Sequence, residues 1–81
     1  TETLRLVGKH CESGDVLVSE ASLPPVRAGD LVCLPATGAY GVAMASNYNG
    51  VTRPAGVFVD GGRARLVTRR ETYADLVARD L

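Results

Sequence analysis

The strongest structural signal in the sequence is Asp60-Gly61-Gly62, which separates two runs of alternating apolar and polar residues. The runs cover residues 56–59 and 63–67, and we extend the second to Arg70. Glycines that follow an aspartate supply the positive φ angles that a tight turn between antiparallel strands requires. The sequence therefore predicts a β-hairpin here and a mainly β fold for the chain.

Three further apolar runs predict short strands at residues 4–7, 16–18 and 31–34. Residues 23–30, between the last two, contain two prolines and a glycine, which exclude a helix there. The run at 31–34 is continuously apolar and predicts a buried strand in which Cys33 acts as a small hydrophobic residue.

Short helices are predicted at two places. The small residues at 36–46 favour a brief helix with Thr37 as its N-cap, and residues 47–50 end it. Thr72 and Asp75 have the spacing of a capping box with Asp in place of Glu, which predicts a closing helix at 73–79.

Composition suits one small globular domain, residues 1–81, with 46% hydrophobic and 22% charged residues. The chain begins inside a strand pattern, so we expect it to be a segment of a longer protein. Nine basic and nine acidic residues give a net charge of zero, which argues against nucleic acid and membrane partners. We interpret the arginines near the end as a solvated strand face. They are Arg63, Arg65, Arg69 and Arg70.

The two cysteines, Cys11 and Cys33, are too few for a disulfide framework and lack the pairing of a zinc site. Free thiols are typical of cytosolic proteins. We predict no metal ion for this chain.

The densest chemistry lies in residues 8–15, which read GKHCESGD. Several interpretations are open from the residues alone. One adjacent His10 is weak support for a nucleophilic Cys11, and the irregular spacing is weak support for a metal site. Two further interpretations are a polar loop with an incidental thiol, and one part of an active site that is completed by residues outside this chain.

GKHCESGD is followed by PATGAYG at 35–41, SNYN at 46–49 and RRET at 69–72. This order and spacing resembles the C-terminal end of the diaminopimelate decarboxylases, which belong to the pyridoxal-phosphate-dependent decarboxylases of the alanine-racemase-like fold. Lys9 and His10, before the Cys, resemble the actinobacterial branch. The resemblance covers nearly the whole chain.

The resemblance implies a cytoplasmic homodimeric enzyme of lysine biosynthesis that converts meso-diaminopimelate to L-lysine and carbon dioxide. It implies that this chain is the later part of a Greek-key-like β-barrel or sandwich domain with one or two short helices. A (β/α)₈ barrel, the lysine that binds pyridoxal 5'-phosphate and the phosphate loop would lie outside the chain. The isolated chain is therefore expected to be inactive.

Three residues match active-site positions of the family. The resemblance makes Cys11 the catalytic thiol that enters the neighbouring subunit's site and returns a proton after carbon dioxide leaves. It makes Glu12 the acid that binds the distal ammonium of the substrate. It places Tyr40 at the cofactor phosphate of its own subunit and also makes Tyr40 a substrate-binding residue.

Ser13 and Asp15 are predicted to fix the loop through local hydrogen bonds, and His10 has no assigned role. Two alternatives stay open. Decarboxylases of ornithine or arginine are similar, but they typically carry Asp where this chain has Glu12. The second alternative is that the chain is a dimerisation or interaction module without substrate contacts.

Overall fold

The computed structural model describes the whole chain, Thr1–Leu81, and is mainly β, as predicted. It has four strands, two short α-helices and one 3₁₀ turn. The elements in chain order are β1 (Glu2–Val7), β2 (Val16–Leu23), α1 (Gly38–Met44), the 3₁₀ turn (Tyr48–Gly50), β3 (Gly56–Asp60), β4 (Arg63–Thr68) and α2 (Tyr73–Leu76). They form two compact units, Thr1–Ala43 and Met44–Leu81.

Strands β1 and β2 pair antiparallel in the first unit. The register shifts between Leu4 and Leu6, where one residue of β1 lies opposite Ser19 and Glu20 of β2. This bulge keeps Ala21 and Leu23 on the same face of the sheet as Val18. Strand β2 ends at Leu23, beyond the predicted 16–18. The half-buried residues of that face are Leu4, Leu6, Val18, Ala21 and Leu23.

The buried strand predicted at residues 31–34 is wrong. This segment has no strand beside it, because the two sheets consist only of β1 with β2 and β3 with β4. Leu31 is 98% exposed, and the Cys33 thiol, predicted to be buried, is exposed as well. An apolar run alone therefore did not determine burial here.

The predicted helix after Pro35 is confirmed as α1, with Thr37 at the position before it. The carbonyl of Thr37 accepts the amide of Gly41 at 2.8 Å, as the first bond of the helix. Thr37 thus has the predicted N-cap position, but its hydroxyl donates back to the Leu34 carbonyl at 2.9 Å and ties the helix to the preceding segment.

Strands β3 and β4 form the predicted hairpin in the second unit. Asp60 pairs with Arg63, and the two turn residues Gly61 and Gly62 have φ angles of 56° and 76°. Strand β4 ends at Thr68, before the predicted Arg70. One side of the hairpin carries only apolar residues and is called the hairpin apolar face. Its residues are Val57, Val59, Ala64 and Leu66.

The capping box predicted before the last helix is confirmed. The backbone amide of Thr72 donates to Asp75 Oδ2 at 2.7 Å, which satisfies one donor at the start of α2. Helix α2 ends at Leu76 rather than at residue 79, because Val77 has left the helical region with φ −111° and ψ 11°.

Neither unit has a core of its own. No hydrophobic side chain in the chain is fully buried, and the residues of β1 and β2 that face inward are only half-buried. Groups on the hairpin apolar face are open to solvent, with Val59 74% exposed. The apolar surface that a folded domain normally buries is thus still accessible.

Candidate functional site

Residues 8–15 form a closed loop between β1 and β2. The amide of Gly8 donates to the Asp15 carbonyl at 3.0 Å, which joins the two ends of the loop. Inside it, the amide of Asp15 donates to the Glu12 carbonyl at 3.1 Å. These main-chain bonds present Cys11 and Glu12 together at the exposed tip.

Cys11 is exposed and has a φ of 56°. This is the left-handed region, which residues with a Cβ rarely occupy, and holding a non-glycine residue there costs about 1 kcal/mol or more. Such conformations persist only where the surrounding structure enforces them, and they are frequent at functional sites. Cys11, for which the resemblance implies a catalytic role, is one of three non-glycine residues with positive φ in the chain.

The Glu12 carboxylate folds back onto its own loop. Its Oε2 accepts the amide of Gly14 at 2.6 Å, and its Oε1 lies 3.5 Å from the Ser13 hydroxyl, at the limit for a hydrogen bond. A hydrogen bond to an ionised acceptor is stronger than a neutral one. Glu12 therefore has one oxygen fixed and one largely available to a ligand.

Asp15, the last residue of the loop before β2, is half-buried. Its Oδ2 accepts the backbone amide of His10 at 3.2 Å, which confirms the predicted local role of Asp15. Ser13, predicted to bond the backbone, contacts the side chain of Glu12 instead.

Tyr40 lies in the first turn of α1 and is 78% exposed. The segment before it makes a sharp turn at Ala36, which has a φ of 59°. No hydrogen bond or ion pair joins Tyr40 to the GKHCESGD loop. The structure thus brings Cys11 and Glu12 together, and it places Tyr40 on a separate element.

A polar cluster in the second unit was not predicted from the sequence. The Glu71 Oε1 atom accepts the Arg53 amide at 2.6 Å and the Asn47 side-chain amide at 2.7 Å. The backbone bond from Arg53, and then the bond from Asn47, hold the pKa of Glu71 below its usual value. The only signal was that Asn47 and Glu71 lie in the SNYN and RRET motifs.

Of the four arginines predicted as a strand face, Arg63 and Arg65 lie on β4 and are exposed. Arg65 stacks over the Phe58 ring at 5.9 Å from its centre. Arg69 lies beyond the strand and binds both oxygens of Asp75, at 2.7 and 2.9 Å. This bidentate bond raises the pKa of Arg69 and lowers that of Asp75. Arg70 also lies outside β4, so the strand-face prediction is wrong for Arg69 and Arg70.

The structure forms no group of three or more His, Cys, Asp or Glu side chains suited to a metal ion. None of its helices has the length and apolar character that a membrane crossing requires.

Residues 1–38 match the family described as "Pyridoxal-dependent decarboxylase, C-terminal sheet domain". This range contains β1, β2 and the GKHCESGD loop between them. The chain belongs to this family of decarboxylase sheet domains.

Three of its curated relatives are diaminopimelate decarboxylases. The chain is 54% identical to the enzyme of Synechocystis over 80 residues, which is 99% of the chain and 17% of the relative. It is 54% identical to the enzyme of Bacillus subtilis over 80 residues, 99% of the chain and 18% of the relative. It is 57% identical to that of Mycobacterium tuberculosis over 75 residues, 91% of the chain and 17% of the relative. The chain thus spans less than a fifth of the length of these relatives.

Proposed function

We propose that the chain is the C-terminal part of a pyridoxal-phosphate-dependent diaminopimelate decarboxylase, which converts meso-diaminopimelate to L-lysine and carbon dioxide. The observation that carries the proposal is the identity of 54–57% to diaminopimelate decarboxylases over 91–99% of the chain. Residues 1–81 would be the later part of a β domain in a homodimer. Both cysteines are free, which fits the cytoplasm.

Pyridoxal 5'-phosphate, when bound, supplies the electron sink for loss of carbon dioxide. The residues of this chain fit a supporting role in binding the cofactor. Tyr40 presents an exposed phenol, whose hydroxyl can donate to a phosphate oxygen. Lys9 is the only lysine and lies in the exposed loop, and we do not assign it to the cofactor. The cofactor lysine and phosphate loop belong to the remainder of the enzyme.

Cys11 and Glu12 are proposed to serve the active site of the neighbouring subunit. Glu12 binds the distal ammonium of the substrate through the oxygen that the Gly14 amide leaves available, because a carboxylate is an acceptor suited to an ammonium donor. The Cys11 thiol gives its proton to the substrate α-carbon after carbon dioxide leaves. Exposure of both side chains at the loop tip supports this assignment.

The test is a substrate panel on the full-length enzyme that contains this chain. Carbon dioxide release is measured with meso-diaminopimelate, ornithine and arginine as separate substrates. We expect kcat/KM to be highest by far for meso-diaminopimelate. A preference for ornithine or arginine would assign the chain to a sister enzyme, and release from none of them would favour a module without catalytic function.

A further inference from the structure

We infer that Asp15 is a positioning residue for the Cys11 thiol. The inference rests on the proposed function, because it concerns the residue that delivers the proton there. Asp15 touches neither substrate nor cofactor in this proposal. It acts by fixing the backbone on both sides of Cys11.

The contacts of Asp15 bracket Cys11. Its carboxylate accepts the amide of His10 at 3.2 Å, and its own amide donates to the carbonyl of Glu12 at 3.1 Å. One residue therefore holds the neighbour before Cys11 and the neighbour after it. The positive φ of Cys11, 56°, is a conformation that needs such enforcement.

Gly8 provides the space that this arrangement needs. A Cβ atom built on Gly8 would collide with the Asp15 carboxylate. The Gly8 amide also donates to the Asp15 carbonyl at 3.0 Å, so the two residues are held in close approach. A side chain at position 8 must therefore displace the carboxylate from the His10 amide.

The position of Asp15 differs from that of the carboxylate at the loop tip. Asp15 is half-buried, whereas Glu12 is exposed. A half-buried carboxylate that accepts a backbone amide favours one geometry of the chain around it. The loop therefore has one acidic residue that can reach a ligand, Glu12, and another that fixes the loop, Asp15.

The experiment measures kcat and KM of the full-length decarboxylase with meso-diaminopimelate for four variants, each with a single substitution. Asp15→Ala removes the acceptor and is expected to lower kcat by about 10- to 100-fold, since misplacement of a reacting group by about 1 Å has effects of this size. KM should change little. Asp15→Asn keeps a side-chain oxygen for the His10 amide and should recover most of the lost rate.

Asp30→Ala is the matched control. Asp30 makes the same two kinds of contact elsewhere, both with one residue: its Oδ2 accepts the Arg27 amide at 2.8 Å and its amide donates to the Arg27 carbonyl at 3.0 Å. The substitution removes only the side-chain bond to the Arg27 amide, and this loss should leave kcat unchanged. Gly8→Ala supplies a second route to the same defect, and it should lower kcat as Asp15→Ala does.

The decisive comparison repeats Asp15→Ala in enzyme that already carries Cys11→Ala. If Asp15 acts through Cys11, the two losses overlap and the second substitution lowers kcat no further. The inference is overturned if Asp15→Ala is fully active, if Asp15→Asn is as impaired as Asp15→Ala, or if the full loss recurs without Cys11.

A different result identifies failure of the proposed function. If Cys11→Ala alone keeps full kcat, the thiol has no part in the chemistry, and the assignment of Cys11 falls whatever Asp15 does. If Asp15→Ala unfolds, which would be seen as a loss of cofactor absorbance, the comparison with and without Cys11→Ala is made with Gly8→Ala instead.

Discussion

Separation of the chain from the rest of the decarboxylase is expected to produce self-association. Its accessible surface is 7313 Å². Two folded units that shared its mass of 8.5 kDa equally would together expose only about 5,600 Å², from the dependence of surface on mass. The excess is roughly 1,700 Å² for one chain, about twice the ~800 Å² that each partner buries in a standard protein–protein interface. This surface includes apolar groups that water contacts unfavourably.

Sedimentation velocity of the purified chain across a wide concentration range provides the measurement. We expect the mean mass to rise with concentration. Val59→Lys places a charge at the centre of the hairpin apolar face and should reduce association, whereas Arg65→Lys on the opposite side should not. A single monomeric species at every concentration would refute the reasoning from the missing core.

Three other predictions concern single side chains. Carbon-13 NMR should show the pKa of Glu71 below the ordinary 4.5. The bonds from Arg53 and Asn47 then stabilise the fold at pH values above the usual pKa of Glu, and this stabilisation is lost as pH falls through the lowered pKa. A titration midpoint at or above 4.5 contradicts this. Glu12→Gln in the full-length enzyme should raise KM for meso-diaminopimelate about tenfold or more, since it removes a bond to a charged group, and an unchanged KM argues against ammonium binding. Tyr40→Phe should weaken retention of pyridoxal 5'-phosphate by about two- to tenfold, measured by absorbance after dialysis, and equal retention removes Tyr40 from the phosphate site.

Local signals in the sequence predicted local structure well. The Asp60-Gly61-Gly62 turn and the Thr72 to Asp75 cap both depend on residues a few positions apart, and both are present. The end of β2 was missed because the bulge at Ser19 and Glu20 interrupts the alternation of apolar residues. Periodicity identifies regular strands and loses them where an extra residue is inserted.

Features that depend on distant residues were not predictable. The apolar run at residues 31–34 gave no information on what lies beside it, and Leu31 is almost fully exposed. Glu71 meets Asn47 across 24 positions of sequence, and nothing in either motif indicates the pair. For the candidate site, the resemblance selected Cys11, Glu12 and Tyr40 as residues, but not the left-handed backbone at Cys11.

Whether this chain contributes Cys11 to the site of the neighbouring subunit can be tested with hybrid dimers of the full-length enzyme. One parent dimer carries Cys11→Ala, and the other lacks the cofactor-binding lysine outside this chain. Each parent should be badly impaired, because every site in it misses one essential group. After verified subunit exchange, one site of each hybrid combines the lysine of the first subunit with Cys11 of the second, and activity should partly return. If mixing restores no activity despite exchange, the shared site is contradicted.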